Sequence, residues 1–171
     1  MAIIKSVRGF TPIIGNNCYL AETAVVIGDV IMGDDCSIWY NAVLRGDVNS
    51  IRIGNRVNIQ DGAVLHTLYQ RSVVEIADSV SIGHQAVVHG ARIESRVLIG
   101  IGAIILDHAV IGENSIIAAG ALVKDSTRVE PNSIYAGVPA VKIKEIDPEQ
   151  TREMIEKIAG NYLMYAGWYR E

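Results

Sequence analysis

A period of six governs most of this chain and excludes ordinary helices and hairpins as its main structure. From Ile14, every sixth residue is aliphatic: Ile14, Leu20, Val26, Met32, Ile38 and Leu44. A second run passes through Ile99, Ile105, Ile111, Ile117, Val123 and Val129. Between them, Ile53, Ile59 and Leu65 form one block, Ile76, Ile82 and Val88 form another, and Ile93 leads into Ile99. The register gains three residues after Leu44 and five after Leu65, and loses one after Val88. The fifth residue of each hexad is mostly small or β-branched, as at Cys18, Ala24, Ala42, Ala63, Ala86 and Ala121. Neither the strand period of 2 nor the helix period of 3.6 produces such a pattern.

A hexad made of one short strand and one corner, with its aliphatic residue pointing inward, does produce it. Three hexads then close a triangular coil of about 18 residues, and coils stack at the strand spacing of about 4.8 Å. The nineteen hexads predict roughly six coils over about residues 11–135, an all-β solenoid. This resembles the left-handed parallel β-helix of hexapeptide-repeat proteins. The hand is taken from that resemblance, because parallel crossovers are otherwise right-handed. Composition agrees: 50% of residues are hydrophobic but only 6% are aromatic, so an aliphatic stack fills the interior. Cys18 and Cys36 lie one coil apart in one column and read as small free thiols of a dry core rather than a disulfide.

Pro131-Asn132-Ser133 and Gly137-Val138-Pro139 read as loops. Asp147-Pro148 then opens a helix over about 147–168, with Met154, Ile155, Ile158, Tyr162 and Leu163 on the face that packs along the outside of the coil. The whole reads as a single domain, 1–171. A net charge of −4 offers no nucleic-acid signal. No secretory leader is read at Met1–Phe10, and no apolar run spans a bilayer, so a cytoplasmic protein is expected.

The second residue of a hexad is usually Gly, Ala or an acid. Trp39, Arg45, Gln60, His66 and His89 break that rule with large side chains, which marks them as site candidates. If the five extra residues after Leu65 form a loop, Arg45, His66 and His89 stack on one corner of successive coils. Two imidazoles one strand spacing apart can share a metal ion. His84, five residues before His89, falls on a different side of the coil. It could complete the shell of a neighbouring subunit in a cyclic oligomer, and three histidines with one open position describe a catalytic zinc site. His108 lies at another hexad phase and reads as a surface residue. Trp39, Tyr40 and Tyr69 read as interface packing, with pocket lining as the alternative.

Arg45-Gly46-Asp47, Asn58-Ile59-Gln60-Asp61, His66 and His84-x4-His89 together resemble the gamma-class carbonic anhydrases, over essentially the whole chain. The resemblance implies a carbonate dehydratase that hydrates carbon dioxide reversibly to bicarbonate through hydroxide formed at a metal. It implies a homotrimer with interface sites, His66 and His89 from one chain and His84 from the next as ligands. Zn²⁺ is the expected metal, with Fe²⁺ or Co²⁺ as alternatives. It further implies that Arg45 and Asp47 pair across the interface and that Gln60 lies beside the reactive water. Asn58 would belong to the same polar shell, and Tyr162 (or Asn161) of the helix would point at the site. Two acids of the family pattern are missing: Val48 follows Arg-Gly-Asp, and the loop Thr67–Ser72 holds no carboxylate. Slow proton transfer is therefore expected. The alternatives are a metal-dependent thioesterase, a CoA-dependent acyltransferase of the hexapeptide class, or a non-catalytic zinc-binding trimeric scaffold.

Overall fold

The structure, a computed structural model, describes residues 1–169. The hexads stack as a parallel solenoid with three faces. The first face carries Tyr19–Leu20, Ser37–Ile38, Asn58–Ile59, Ser81–Ile82, Leu98–Ile99, Ile116–Ile117 and Ser133–Ala136, each paired with the next. Seven turns form, one more than the hexad count predicts. The extra turn begins at Ser133–Ala136, which the Pro131-Asn132-Ser133 loop signal had hidden. Tyr135 sits over Ile117 and continues the inward column six residues after Val129, but as an aromatic residue it escapes an aliphatic count. The Gly137–Pro139 turn then sends Val141–Glu145 back antiparallel, which pairs the last open edge of that face.

The register slips are local. The five extra residues form the loop that Thr67–Ser72 occupies, because Leu65 still pairs with Val88 and Ile53 with Ile76. The three extra residues after Leu44 bulge out between Gly46 and Ile51 within the strand Val43–Ile53. The missing residue after Val88 is absorbed at Gly90, whose φ of +59° turns the corner early. Inside, Leu44, Leu65, Val88 and Ile105 form one column, and Ile38, Ile59, Ile82 and Ile99 another, all fully buried. Each such side chain contributes about 1.5–3 kcal/mol on leaving water. Cys18 and Cys36 are free, and each thiol faces a backbone carbonyl of the next coil, Gly33 and Gly54, at 3.2 Å.

The three exteriors differ, and the difference positions everything else. The first is covered by the helix Pro148–Trp168, capped by Asp147, whose carboxylate accepts the Glu149 and Gln150 N–H groups. The third carries Arg52, Glu75, Arg92 and Arg128, laced by ion pairs such as Arg52–Asp29 at 2.7 Å. The second is apolar: Val25, Val43, Val64, Val87, Ile104 and Leu122 are consecutive register partners on its outer side. The helix face meets the expectation in part, since Ile155 is buried and Ile158, Tyr162 and Leu163 are half-buried. Thr151, Ile155, Ala159 and Ala166 are buried, whereas Met154 is exposed. The outer side of the first face holds Ser37, Asn58 and Ser81, small groups that let a helix come close only where its own residues are small. Among the described residues, no helix is long and apolar enough to cross a membrane.

Candidate metal centre

At the corner between the second and third faces, His66 and His89 are register partners on adjacent coils. Their rings face each other with His66 Nδ1 3.2 Å from His89 Nε2. Each second nitrogen meets a carboxylate: His66 Nε2 lies 3.2 Å from Asp47 Oδ1, and His89 Nδ1 lies 2.8 Å from Asp107 Oδ2. Both carboxylates are held ionised. Burial alone would raise the Asp47 carboxyl, but hydrogen bonds from Arg45 and His66 outweigh it and keep it below the usual range. At Asp107 burial is likewise outweighed, by Ser72 and His89. Burial, and then the Arg45 charge, keep the His66 imidazole below its usual range and so favour its neutral form.

An ionised carboxylate only accepts, so Asp47 takes an N–H from His66 Nε2 and Asp107 one from His89 Nδ1. When both rings are neutral, as metal binding requires, His66 Nδ1 and His89 Nε2 are both bare and face one another. Two lone pairs at that distance repel unless a cation lies between them. Two nitrogens bound at about 2.0–2.1 Å to one tetrahedral dication lie about 3.3 Å apart, so the pair suits a metal as it stands. The carboxylate behind each ring is the usual outer-shell partner of a metal-binding histidine.

The loop supports this corner. Ser72 Oγ donates to Asp107 Oδ1 at 2.5 Å while accepting the Leu68 N–H at 3.0 Å. Gly90 is required beside them, because a Cβ there would meet Ser72 Oγ and Asp107 Oδ1. Arg45 Nη1 donates to Asp47 Oδ2 at 2.7 Å within the same chain, so both candidates join this corner.

The other candidates lie at the opposite edge of the second face, the corner between the first and second faces. His84 Nδ1 lies 2.9 Å from Asp61 Oδ2. The His84 backbone N–H donates to Gln60 Oε1, Gln60 Nε2 donates to Asn58 Oδ1, and Asn58 Nδ2 donates to Ser81 Oγ. Gln60 and Asn58 are buried and thereby hold the His84 turn. Tyr162 reaches the same place from the helix and shares a cleft with His84 and Asp61. Burial, and then the Asp61 charge, push its phenol up to about 12. His108 is exposed, as expected. Among the described residues, no three His, Cys, Asp or Glu side chains converge on one point. Within one chain the three histidines therefore lie in two places, His66 with His89 along one edge of the apolar face and His84 along the other.

Sequence reasoning missed Asp107 and Ser72 and quoted Asp61 only within the Asn58–Asp61 motif, with no role. Asp107 follows His89 by 18 residues, but that coil is one residue short, so strict register sets His89 beside Leu106 and hides the acid. Asp61 precedes His84 by one coil plus the five-residue loop.

The chain matches the bacterial transferase hexapeptide (six repeats) family model over residues 11–46 and 90–125. It is 44% identical to a Geobacillus kaustophilus protein named carbonic anhydrase, over 98% of this chain and 91% of that one. It is 38% identical to the mitochondrial gamma carbonic anhydrase 2 of Arabidopsis thaliana, over 91% of this chain and 58% of that longer protein. Among solved structures, a hexapeptide transferase family protein from Anaplasma phagocytophilum superposes with a TM-score of 0.90 at 34% identity, covering 98% of each chain. The Bacillus cereus N-acyltransferase AntD superposes with a TM-score of 0.57 at 20% identity, over 88% of this chain and 92% of that one, and shares the fold alone.

Proposed function

The chain belongs to the gamma-class carbonic anhydrase family of hexapeptide-repeat proteins, and from that premise we propose that it interconverts carbon dioxide and bicarbonate at a metal held between subunits of a homotrimer. The observation that carries this reading is the pair of facing imidazole nitrogens of His66 and His89, each ring backed by a carboxylate. His84 of a neighbouring subunit supplies the third imidazole. A dication held by three neutral imidazoles acidifies a water molecule towards a pKa of about 7. Zn²⁺ is the metal we assign, with Fe²⁺ or Co²⁺ compatible with the same ligands.

The chain's own groups have definite tasks. Asp47 and Asp107 fix the ring orientations. Arg45 holds Asp47 and lies where a neighbour would meet the apolar face. Asn58 and Gln60 set the His84 turn, leaving Gln60 one amide N–H to orient the reacting water or substrate. Tyr162 closes the site from the helix. The apolar second face, edged by one half-site on each side, supports assembly around a closed ring, where each subunit's His66–His89 edge meets its neighbour's His84 edge. Two free thiols agree with a reducing compartment, and we assign the cytoplasm. The acyltransferase reading has no use for a facing pair of histidines each backed by a carboxylate, and the AntD likeness shows the fold alone.

Proton export sets the rate. Val48 and the Thr67–Ser72 segment provide no carboxylate, and Glu75 faces outward towards Arg92 at 3.8 Å. Protein purified untagged and without oxygen should carry about one metal ion per chain. Carbon dioxide hydration by the metal-loaded trimer should be slow in dilute buffer and rise with buffer concentration, because the buffer must remove the proton. Absence of metal even after reconstitution, or a metal-loaded trimer inert at every buffer concentration, would contradict the proposal.

A further inference from the structure

The chain has two cysteines, and the fold brings them together. Cys18 and Cys36 are 18 residues apart, one coil, and each immediately precedes a strand of the first face, where Tyr19 pairs with Ser37. They occupy the same corner of successive coils, the one between the third and first faces. Adjacent coils stack at about 4.8 Å, inside the Cα separation of about 4.4–6.8 Å that a disulfide spans. Both thiols are reduced here. This corner lies opposite the apolar second face, so covering that face leaves it open. Cys36 is 1% exposed, whereas Cys18 is only half-buried. One sulfur can thus be reached from solvent, and the other lies behind it.

The two thiols differ chemically. A hydrogen bond from the Cys36 thiol brings Cys18 down to about 7, against burial and the charges of Asp34 and Asp35. That same bond, and then burial, hold Cys36 well above the usual thiol range. An accessible thiolate beside a protonated thiol suits one sulfur to attack and the other to resolve. Their place in the fold gives the pair a use. Among the described residues, the first-coil strands Ile13–Ile14 and Tyr19–Leu20 pair on one side only. Their inward residues Ile14 and Leu20 are half-buried, while Met32 and Ile38 one coil further in are buried. We propose that Cys18 and Cys36 are an oxidisable pair, which a hydroperoxide converts to a disulfide that staples this open first coil to the second. The Cys18 thiolate attacks the terminal peroxide oxygen, the O–O bond breaks, and the alcohol leaves after taking a proton. Cys18 is then a sulfenic acid. The Cys36 sulfur attacks the Cys18 sulfur, the S–S bond forms, and the sulfenic oxygen leaves as water with the Cys36 proton. Two thiols and one hydroperoxide thus give one disulfide, one alcohol and one water.

The test is independent of metal and of anhydrase activity. The metal-free full chain, treated with equimolar hydrogen peroxide and then alkylated in denaturant, should lose two hydrogens by intact mass, resist alkylation, and remain a single chain. Dithiothreitol should restore both thiols. Cys36→Ser should stop at the sulfenic acid, captured by dimedone on Cys18, and Cys18→Ser should leave Cys36 reduced. Serine suits this column, since Ser115 and Ser133 hold the same hexad position further along it and bond the Glu130 carbonyl. In the oxidised chain, the N–H groups of Tyr19 and Ala21 bond Cys36 and Ile38 across the stapled coils at 2.9 Å and should exchange about tenfold more slowly. Two alkylatable thiols after peroxide, disulfides between chains, dimedone on Cys36 in place of Cys18, or unchanged exchange in the oxidised chain would overturn the proposal. Any of these results would leave the anhydrase reading untouched.

Discussion

His66 and His89 can face each other across one strand spacing because each has a carboxylate to take its other nitrogen. Remove one carboxylate and that ring is free to turn, or to change tautomer, and present an N–H instead of a lone pair. Asp107→Asn should therefore weaken metal binding about 10–100-fold, measured by chelator competition, with the fold unchanged by circular dichroism. Ser72→Ala should have a smaller effect in the same direction, since it only removes a hydrogen bond to Asp107. Unchanged affinity in Asp107→Asn would mean the carboxylate does not orient His89. The histidine column itself was legible: hexad counting with the insertion after Leu65 treated as a loop puts His66 beside His89. Asp47, the acid behind His66, came only through the Arg45-Gly46-Asp47 resemblance, and Asp107, the acid behind His89, did not come at all, because Asp at the third hexad position also serves ordinary turns, as Asp34 and Asp78 do here by bonding neighbouring backbone N–H groups. Only geometry separates the two uses.

At the scale of elements, the solenoid was readable because each inward column repeats one residue class. The helix was readable as a helix from its Asp147-Pro148 start, but its buried face only in part. Counting apolar residues selects Met154 as well as Ile155, whereas the structure buries the small Ala159 and Ala166, the latter among Tyr19, Ala21 and Trp39. Small residues win because the helix must come close enough to bury polar groups that bond one another rather than water. Ala159→Leu should lift the helix from the coil and cost about 1–3 kcal/mol in denaturant unfolding. Met154→Ala, on the exposed side, should stay within about 0.5 kcal/mol of the parent. The reverse ranking would show that the packing face is the one the apolar pattern suggests. The seventh turn was lost for a related reason: Tyr135 does an aliphatic residue's work at the end of the stack, where a larger ring can cover the column below it.

At the scale of the molecule, three faces have three fates. The helix covers one, ion pairs cross another, and the apolar one is left with His66 and His89 along one edge and His84 along the other. Triangular coils with one such face are suited to a closed ring in which every interface joins a His66–His89 edge to a His84 edge. The sequence could place the histidines on different sides of the coil, but the contrast between the outer columns emerges only when strand register shows which outward residues are neighbours. The central claim is that each metal is shared between chains, and subunit complementation tests it most directly. His84→Ala keeps one half-site, and the double variant His66→Ala/His89→Ala keeps the other. Each variant alone should form trimers without metal. Co-refolded in equal amounts, they should regain about a quarter of the parent's metal content, because one interface in four then joins two intact halves. Full metal occupancy in His84→Ala alone, or none regained in mixed trimers, would contradict the shared site.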